Sequence, residues 1–398
     1  MRDFDLTKEF TDDDLNYINT LSDEELLELK QHCDDAENAG KVGQLARKTL
    51  INSLYGAIGN ETFRYYDIRN AQSITLFGQM AIKWIMRKCN EYLNELGKTE
   101  NHQYVVAGDT DSQYLYFDPI MDKLVEKGVF KTNEDIRSFM DRLAKEKIEP
   151  FIDESYRELC EYMNNNEHLM FMDREAISFP PIGSDGIGGF WKAKKRYALN
   201  VWDMEGVVYE KPHLKIMGLE TQSTATPARF RVELKECIRL ILQEGEKALQ
   251  EYYEKIESEY PTYDINEISS VSSVNNIAGS TADSDLNPKA GTYWVVKSAL
   301  LHNRLAKKYD GIDPIQEGGK AMMMPLIKGA DSKFNSNYFA WESGAKIDKR
   351  IMAEIEPYID YGAQFNKGFV TPLKGITDAC KMQYKHVPSI DDYSDLFD

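Results

Sequence analysis

The sequence predicts an α+β protein with a helical arm, a mixed middle and a helical end. Three observations point that way. Helical apolar spacing dominates residues 23–96, alternating residues break it over 104–117, and helical spacing returns beyond Pro227. At about 150 residues per domain, 398 residues imply two or three domains and enough chain to bury a substantial core.

Ser22-Asp-Glu-Glu25 reads as a capping box, and Leu26, Leu27 and Leu29 open the apolar side of a helix behind it. That helix is expected to stop near Asn38-Ala39-Gly40, with a second over 42–57 returning as an antiparallel hairpin. Another long helix is expected over 70–96, carrying Ile74, Phe77, Ile82, Ile85 and Met86. Tyr104–Ala107, a Gly-Asp turn and Gln113–Phe117 read as a β-hairpin. Helices are expected over 133–163 and strands over 169–178, 191–202 and 207–217. From Pro227 to Ile256 the spacing is helical, 266–288 reads as loop, and Asp391–Asp398 makes an acidic tail.

Composition excludes several classes. No apolar run approaches the roughly 18 residues of a membrane span, and Met1-Arg-Asp-Phe-Asp5 lacks a signal-peptide core. A soluble, unexported chain with no membrane partner is expected. Cys33, Cys89, Cys160, Cys237 and Cys380 are too widely spaced for CxxC zinc or redox motifs, and reduced thiols are expected. The net charge of −18 argues against a nucleic-acid partner until its distribution is read. Residues 1–40 hold 13 acids against 3 bases, whereas 41–88 hold 8 bases against 2 acids and 288–308 hold no acid at all. Residues 190–231 are basic too. Basic islands between acidic flanks suit a polyanion-binding face, although solvated helix faces produce the same pattern.

The chemistry-bearing candidates lie on these islands and on the hairpin. In Gly108-Asp-Thr-Asp-Ser112, Asp109 and Asp111 are two apart, which in an extended chain points both carboxylates to one side. Such oxygen ligands suit Mg²⁺ completed by phosphate and water, and simple turn chemistry is the competing reading. An EF-hand is excluded because Ile120 stands where that loop needs Glu. A glycosyltransferase-type Asp-x-Asp stays open, although the helical region upstream does not suit it. Lys48, Asn52 and Tyr55 share one helix face and can hold a triphosphate and a base pair, with Leu50, Ile51 and Leu54 expected to pack opposite. Lys194-Lys-Arg-Tyr197 is expected on a strand, its basic side chains gripping a phosphate backbone and Tyr197 offering a stacking surface. Lys297, Arg304 and Lys308 share a helix face that suits duplex phosphates. The glycines at 183–189 lack a following Lys-Ser/Thr, so no P-loop is present.

Taken together, Lys48-x-x-x-Asn-Ser-Leu-Tyr-Gly56, Gly108-Asp-Thr-Asp-Ser112 and Lys194-Lys-Arg-Tyr197 resemble, in order and separation, the polymerase motifs of family B DNA polymerases. Phe63-Arg-Tyr-Tyr-Asp67, Met172-Asp-Arg-Glu-Ala-Ile177, Asn200-Val-Trp-Asp-Met-Glu-Gly206 and Met217-Gly-Leu-Glu-Thr221 are similar to the T4-like bacteriophage branch of that family. The resemblance covers nearly the whole chain and implies a partial right-hand fold. Residues 1–58 would be the C-terminal part of a helical fingers hairpin, 59–217 a mixed palm with an antiparallel sheet, 218–388 a mainly helical thumb, and 389–398 a clamp-docking tail.

The resemblance also implies roles. Asp111 would ligate catalytic Mg²⁺ in a two-ion site, with Asp109 tuning it. Lys48 would pair with the dNTP phosphates while Asn52 and Tyr55 check the nascent base pair. Lys194, Lys195, Arg196 and Tyr197 would hold the primer terminus, Asp173 and Glu175 would be nearby acids, and Leu396 and Phe397 would dock a sliding clamp. Ala107 departs from the family, which usually has Tyr there, and this bears on primer-terminus packing. Against the family pattern the chain begins inside the fingers. The exonuclease, the first fingers helix and the palm strand with the second metal carboxylate are therefore expected on a separate N-terminal half. The expectation is the C-terminal subunit of a split DNA polymerase acting on primer–template DNA in the cytoplasm of an infected bacterium. The alternative is a non-catalytic remnant that binds primer–template and the clamp.

Overall fold

Residues 23–58 form one α-helix, not two. The computed structural model describes residues 11–383. In it α1 (Asp12–Ile18) and α2 (Asp23–Ile58) each start behind a capping box, at Thr11 and at Ser22. The expected stop at Asn38-Ala39-Gly40 is corrected, because α2 runs through it for 36 residues. A glycine inside a helix costs only about 1 kcal/mol relative to alanine, and no proline interrupts this run. Glu37 and Lys41 form an ion pair across Gly40. A Cβ on Gly40 or Gly43 would meet nothing within 4 Å, so no neighbour demands glycine at either position. A second expectation also changes: Leu50, Ile51 and Leu54 are 71%, 67% and 56% exposed rather than packed.

The chain divides into two compact units between Arg87 and Lys88, and α3 (Ile68–Gly97) runs from one into the other. In the second unit the last turns of α3 dock the hairpin of β1 (Val105–Asp109) and β2 (Ser112–Leu115). The Asn90 side chain accepts from the Val105 N–H at 2.9 Å, and Asn94 satisfies both backbone groups of His102 at 2.8 Å. α4 (Asp118–Glu126), α5 (Asn133–Leu143) and α6 (Glu149–Tyr162) follow, with a π turn at Ala144–Ile148 joining the last two. Tyr92 of α3 stacks on Phe151 of α6, ring centroids 4.1 Å apart.

The next four strands form one antiparallel sheet: β3 (Ala176–Ser178), β4 (Gly189–Ala193), β5 (Arg196–Met204) and β6 (Val207–Met217). β5 pairs with the other three. Its residues from Tyr197 to Asp203 are all buried, as a strand covered on both faces must be. Ala198 joins the core formed with Leu234 and Ile238, while Tyr197, Leu199 and Val201 face Tyr114 and Trp191. Two strand expectations are corrected here. The run expected at 169–178 pairs only over 176–178, and that expected at 191–202 is two strands with a turn at Lys194–Lys195.

At the far end of β5, Asp203 is 1% exposed and accepts from Arg137 at 3.2 Å, from Arg174, and from the Gly206 N–H at 3.0 Å. Arg174 also donates to Asp141 at 2.7 Å, tying α5 to the sheet. This buried charge is tolerated because both of its carboxylate oxygens are bonded, although the Arg174 Nε–H is buried without a partner.

α7 (Ala228–Gln243) and α8 (Glu246–Glu259) divide the helix expected over 227–256. Gly245 has φ of +93°, and a Cβ there would fall 2.6 Å from the Asp185 carbonyl oxygen, so the break needs glycine. The short α9 (Ile265–Ile268), β7 (Ser270–Ser273) and α10 (Ile277–Ser280) occupy the stretch expected to be loop. α11 (Trp294–Lys308), β8 (Lys320–Pro325), α12 (Ala330–Phe334) and β9 (Tyr338–Glu342) follow. The described chain closes with α13 (Lys349–Ile355), α14 (Tyr361–Phe365) and α15 (Thr371–Cys380). β7, β8 and β9 pair as an antiparallel sheet, so the end expected to be mainly helical carries a sheet as well. Ala321-Met-Met-Met324 favours helix by propensity. It becomes a central strand because all four residues are buried between paired neighbours.

Two substitutions test these assignments. Gly40→Ala should raise stability by about 1 kcal/mol in urea denaturation and increase helicity, whereas a loss would restore the hairpin. Asp203→Ala should cost about 3–5 kcal/mol, because it leaves two largely buried guanidiniums without their shared partner.

Candidate active site

The two carboxylates of the hairpin do not sit on an extended chain. Asp109 ends β1, Ser112 begins β2, and the two are register partners, which leaves Thr110 and Asp111 as the turn. The expected same-side geometry is therefore corrected: Asp111 stands exposed at the tip and Asp109 lies a step behind, partly shielded. Thr110 has φ of +55°, in the left-handed region that costs a β-branched residue about 1–2 kcal/mol. The Asp111 N–H donates to the Asp109 carbonyl at 2.6 Å, and the Ser112 hydroxyl donates to the same oxygen at 3.1 Å.

The second part of the site is also a turn. Ala193 pairs with Arg196, so Lys194 and Lys195 form the tip of the β4–β5 hairpin, Lys195 with φ of +60°. This corrects the strand expected there. Nothing in Ala-Lys-Lys-Arg announces a turn, since it holds no Gly, Asn or Pro. Both lysines are exposed, and the Lys195 ammonium lies 3.3 Å from an Asp109 carboxylate oxygen. Behind that ion pair the Tyr114 hydroxyl donates to the Tyr197 hydroxyl at 2.8 Å, and the Tyr114 ring packs edge-on against Trp191 at 5.1 Å. Two hairpins are thus joined at two points. Tyr197 is 9% exposed, so the stacking surface expected of it is buried. Burial, the Tyr197 hydrogen bond and the charges of Glu175 and Asp109 push the Tyr114 phenol well above its ordinary value, so it stays a proton donor.

Arg196 is bonded within the fold, although its side chain is 38% exposed. It donates to Glu220 at 2.5 Å and to the Gly218 carbonyl at 3.0 Å, and Lys192 donates to the same Glu220 oxygen at 2.9 Å. Burial would raise the Glu220 carboxyl, but bonds from Lys192, the backbone and Arg196 outweigh it and hold the group below its ordinary value. The stabilisation that follows is complete above the ordinary value of 4.5 and is lost as pH falls through the lowered one.

Of the other sequence candidates, Glu175 pairs with Lys215 at 2.5 Å, and Asp173 is exposed. Ala107 stands opposite Tyr114, beside the aromatic cluster. Lys48, Asn52 and Tyr55 are exposed along α2, on the first unit, where a shallow depression of about 370 Å³ is lined by Gly40, Gln44, Arg47, Lys48, Ile51 and Asn52. The phosphate face expected on α11 is largely occupied. Arg304 donates to the Leu286 carbonyl at 3.4 Å and to that of Phe334, and Lys308 pairs with Glu354 at 2.5 Å. Leu396 and Phe397 lie outside the described residues. Sequence reasoning missed Tyr114, Trp191, Gly218 and Glu220. The last two stand in Met217-Gly-Leu-Glu-Thr221, quoted above with no role attached.

Hard carboxylate oxygens at a hairpin tip fit Mg²⁺, which takes one or two such ligands and completes its shell with phosphate and water. No cluster of three or more His, Cys, Asp or Glu suited to a metal occurs among the described residues, so Asp109 and Asp111 would by themselves make only part of a ligand set.

The model for DNA polymerase family B matches residues 27–159. The chain is 47% identical over 382 residues to the DNA-directed DNA polymerase of Enterobacteria phage T4, covering 96% of this chain and 42% of that protein. The chain matches a portion of a T4-like family B DNA polymerase. The DNA-directed DNA polymerase of Escherichia phage RB69 is 48% identical over 394 residues, 99% of this chain and 43% of its own length. DNA polymerase 1 of Aeropyrum pernix is 34% identical over 83 residues, 21% of this chain and 8% of its own length. The chain therefore spans less than half the length of the two phage polymerases. No helix among the described residues is long and apolar enough to cross a membrane.

Thr110→Gly should relieve the left-handed strain and raise stability by up to about 1 kcal/mol in urea denaturation. A loss would mean that the threonine side chain, not the backbone, holds the turn.

Proposed function

We propose that this chain is the C-terminal component of a template-directed DNA polymerase that adds dNTPs to a primer 3′-hydroxyl in the cytoplasm of an infected bacterium. One observation carries the reading. The Asp-bearing hairpin and the lysine turn, 86 residues apart from Asp109 to Lys195, meet in an ion pair backed by a part-buried tyrosine pair. Carboxylates for a metal and cations for a phosphodiester then stand side by side, as phosphoryl transfer requires. In this reading 1–58 serves as fingers, 59–217 as palm, 218–388 as thumb and 389–398 as a clamp-docking tail.

Asp111 would hold Mg²⁺, with Asp109 beside it. Bound there, two ions supply charge neutralisation at the attacking and leaving oxygens. The chain's own residues do the positioning. Lys194 and Lys195 face the primer backbone, and Lys195 also sets the direction of the Asp109 carboxylate. Lys48 neutralises the triphosphate, while Asn52 and Tyr55 present an amide and a ring to the new base pair. Tyr114, held protonated, keeps the two hairpins in register without adding negative charge. Further metal ligands would come from outside the described residues. We place them on a separate chain, together with the exonuclease, because the exposed Leu50, Ile51 and Leu54 offer such a chain an apolar docking surface. The clamp-docking role of Leu396 and Phe397 rests on resemblance.

Single-nucleotide primer extension with Mg²⁺, run with this chain alone and then with the polypeptide matching the rest of the phage relatives, tests the proposal. Extension should need both. Asp111→Ala should lower it about a thousandfold, or roughly 4 kcal/mol, and Lys48→Ala should raise the KM for dNTP. Intact primer–template binding with no extension in either mixture would instead favour the non-catalytic remnant.

A further inference from the structure

The string Met217-Gly-Leu-Glu-Thr221 has no role in the mechanism above, yet it lies directly against the lysine turn. Gly218 has φ of +62°, and a Cβ there would fall 2.4 Å from the Lys195 carbonyl oxygen, so backbone presses on backbone. The segment is itself anchored. Leu219 is 2% exposed in the core, and the Gln222 side chain accepts from the Gly218 N–H at 3.2 Å and donates to the Ile216 carbonyl at 2.5 Å. From this platform Glu220 reaches up to the turn. One carboxylate oxygen accepts from Lys192 on β4 and from Arg196 on β5, the strands on either side of Lys194 and Lys195.

We infer that Glu220 is a positioning residue for the primer-facing turn, clamping both of its flanks so that Lys195 stays opposite Asp109. The inference rests on the polymerase reading above. Charge supplies the physical reason. Lys192, Lys194, Lys195 and Arg196 put four cations into five residues, and their mutual repulsion would splay a turn that has no Gly, Asn or Pro. Glu220 answers two of them in a partly buried pair, its side chain 23% and that of Lys192 18% exposed, where screening is weaker than at an open surface. Lys194 and Lys195 are left outward. Glu220 therefore also decides which of the four cations face a phosphate backbone.

Glu220→Gln separates this role from a merely structural one. In the full chain, amide hydrogen exchange at 193–196 should quicken at least tenfold, while exchange in α7 and α11 stays unchanged. Primer–template binding should be retained or tightened, with the slope of log Kd against log salt steeper by about one to two as Lys192 and Arg196 turn to phosphates. Incorporation by the mixture with the complementary polypeptide should fall about tenfold at saturating DNA. Glu220→Asp, one methylene shorter, should recover part of the exchange protection and of the rate. Unchanged exchange at 193–196, or protection lost equally across the unit together with DNA binding, would overturn the inference. The exchange readout needs no catalysis. If Asp111→Ala leaves extension intact while Glu220→Gln loosens the turn, the polymerase reading fails and the clamp stands.

Discussion

The site depends on β5 being buried on both faces. A one-residue slip in register would move every side chain of such a strand to the opposite face, each into a core shaped for others. β5 is fixed further by three antiparallel partners and by Asn200 and Asp203, whose buried polar groups are bonded to fixed neighbours. Its start therefore lies at a defined place, and that start is the lysine turn. Tyr197, the second residue of β5, carries the same precision across to the Asp-bearing hairpin through Tyr114.

The electrostatics follow from this frame. Acidic and basic side chains in the second unit are interleaved rather than opposed. Asp203 answers Arg137 and Arg174 at one end of β5, and Glu220 and Asp109 answer the basic turn at the other. A net charge of −18 coexists with an outward-facing pair of lysines because the local balance, not the sum, decides what a polyanion meets. The same interleaving removes candidates. Arg304 and Lys308 share a face in the sequence but are bonded within the fold.

Local signals were legible and long-range ones were not. The capping box at Ser22, the long helix ending at Gly97, the Asp-bearing hairpin and β6 could all be read, because each is written within a few consecutive residues. α2 was misread as a hairpin because glycine was weighed as a stop, when its cost is small beside the helix formers around it. The Lys194–Lys195 turn carried no turn residue, and the methionine-rich β8 carried helix propensity. Both are decided by burial and pairing far away in sequence. Of the candidate site, Asp109, Asp111, Lys194 and Lys195 were visible as residues. Their joining through Tyr114, Tyr197 and Glu220 was not, because those contacts cross 24 to 86 positions.

The uninterrupted α2 has a mechanical consequence. At 1.5 Å per residue, its 36 residues make a rod of about 54 Å. A break at Gly40 would have let the distal half pivot on its own. Without it, a tilt of about 10° at Ile58 carries Asp23 through about 9 Å. Lys48, some ten residues from the fulcrum, travels less than a third of that distance. The helix is thus a lever whose short arm holds the candidate triphosphate residues and whose long arm ends in acid.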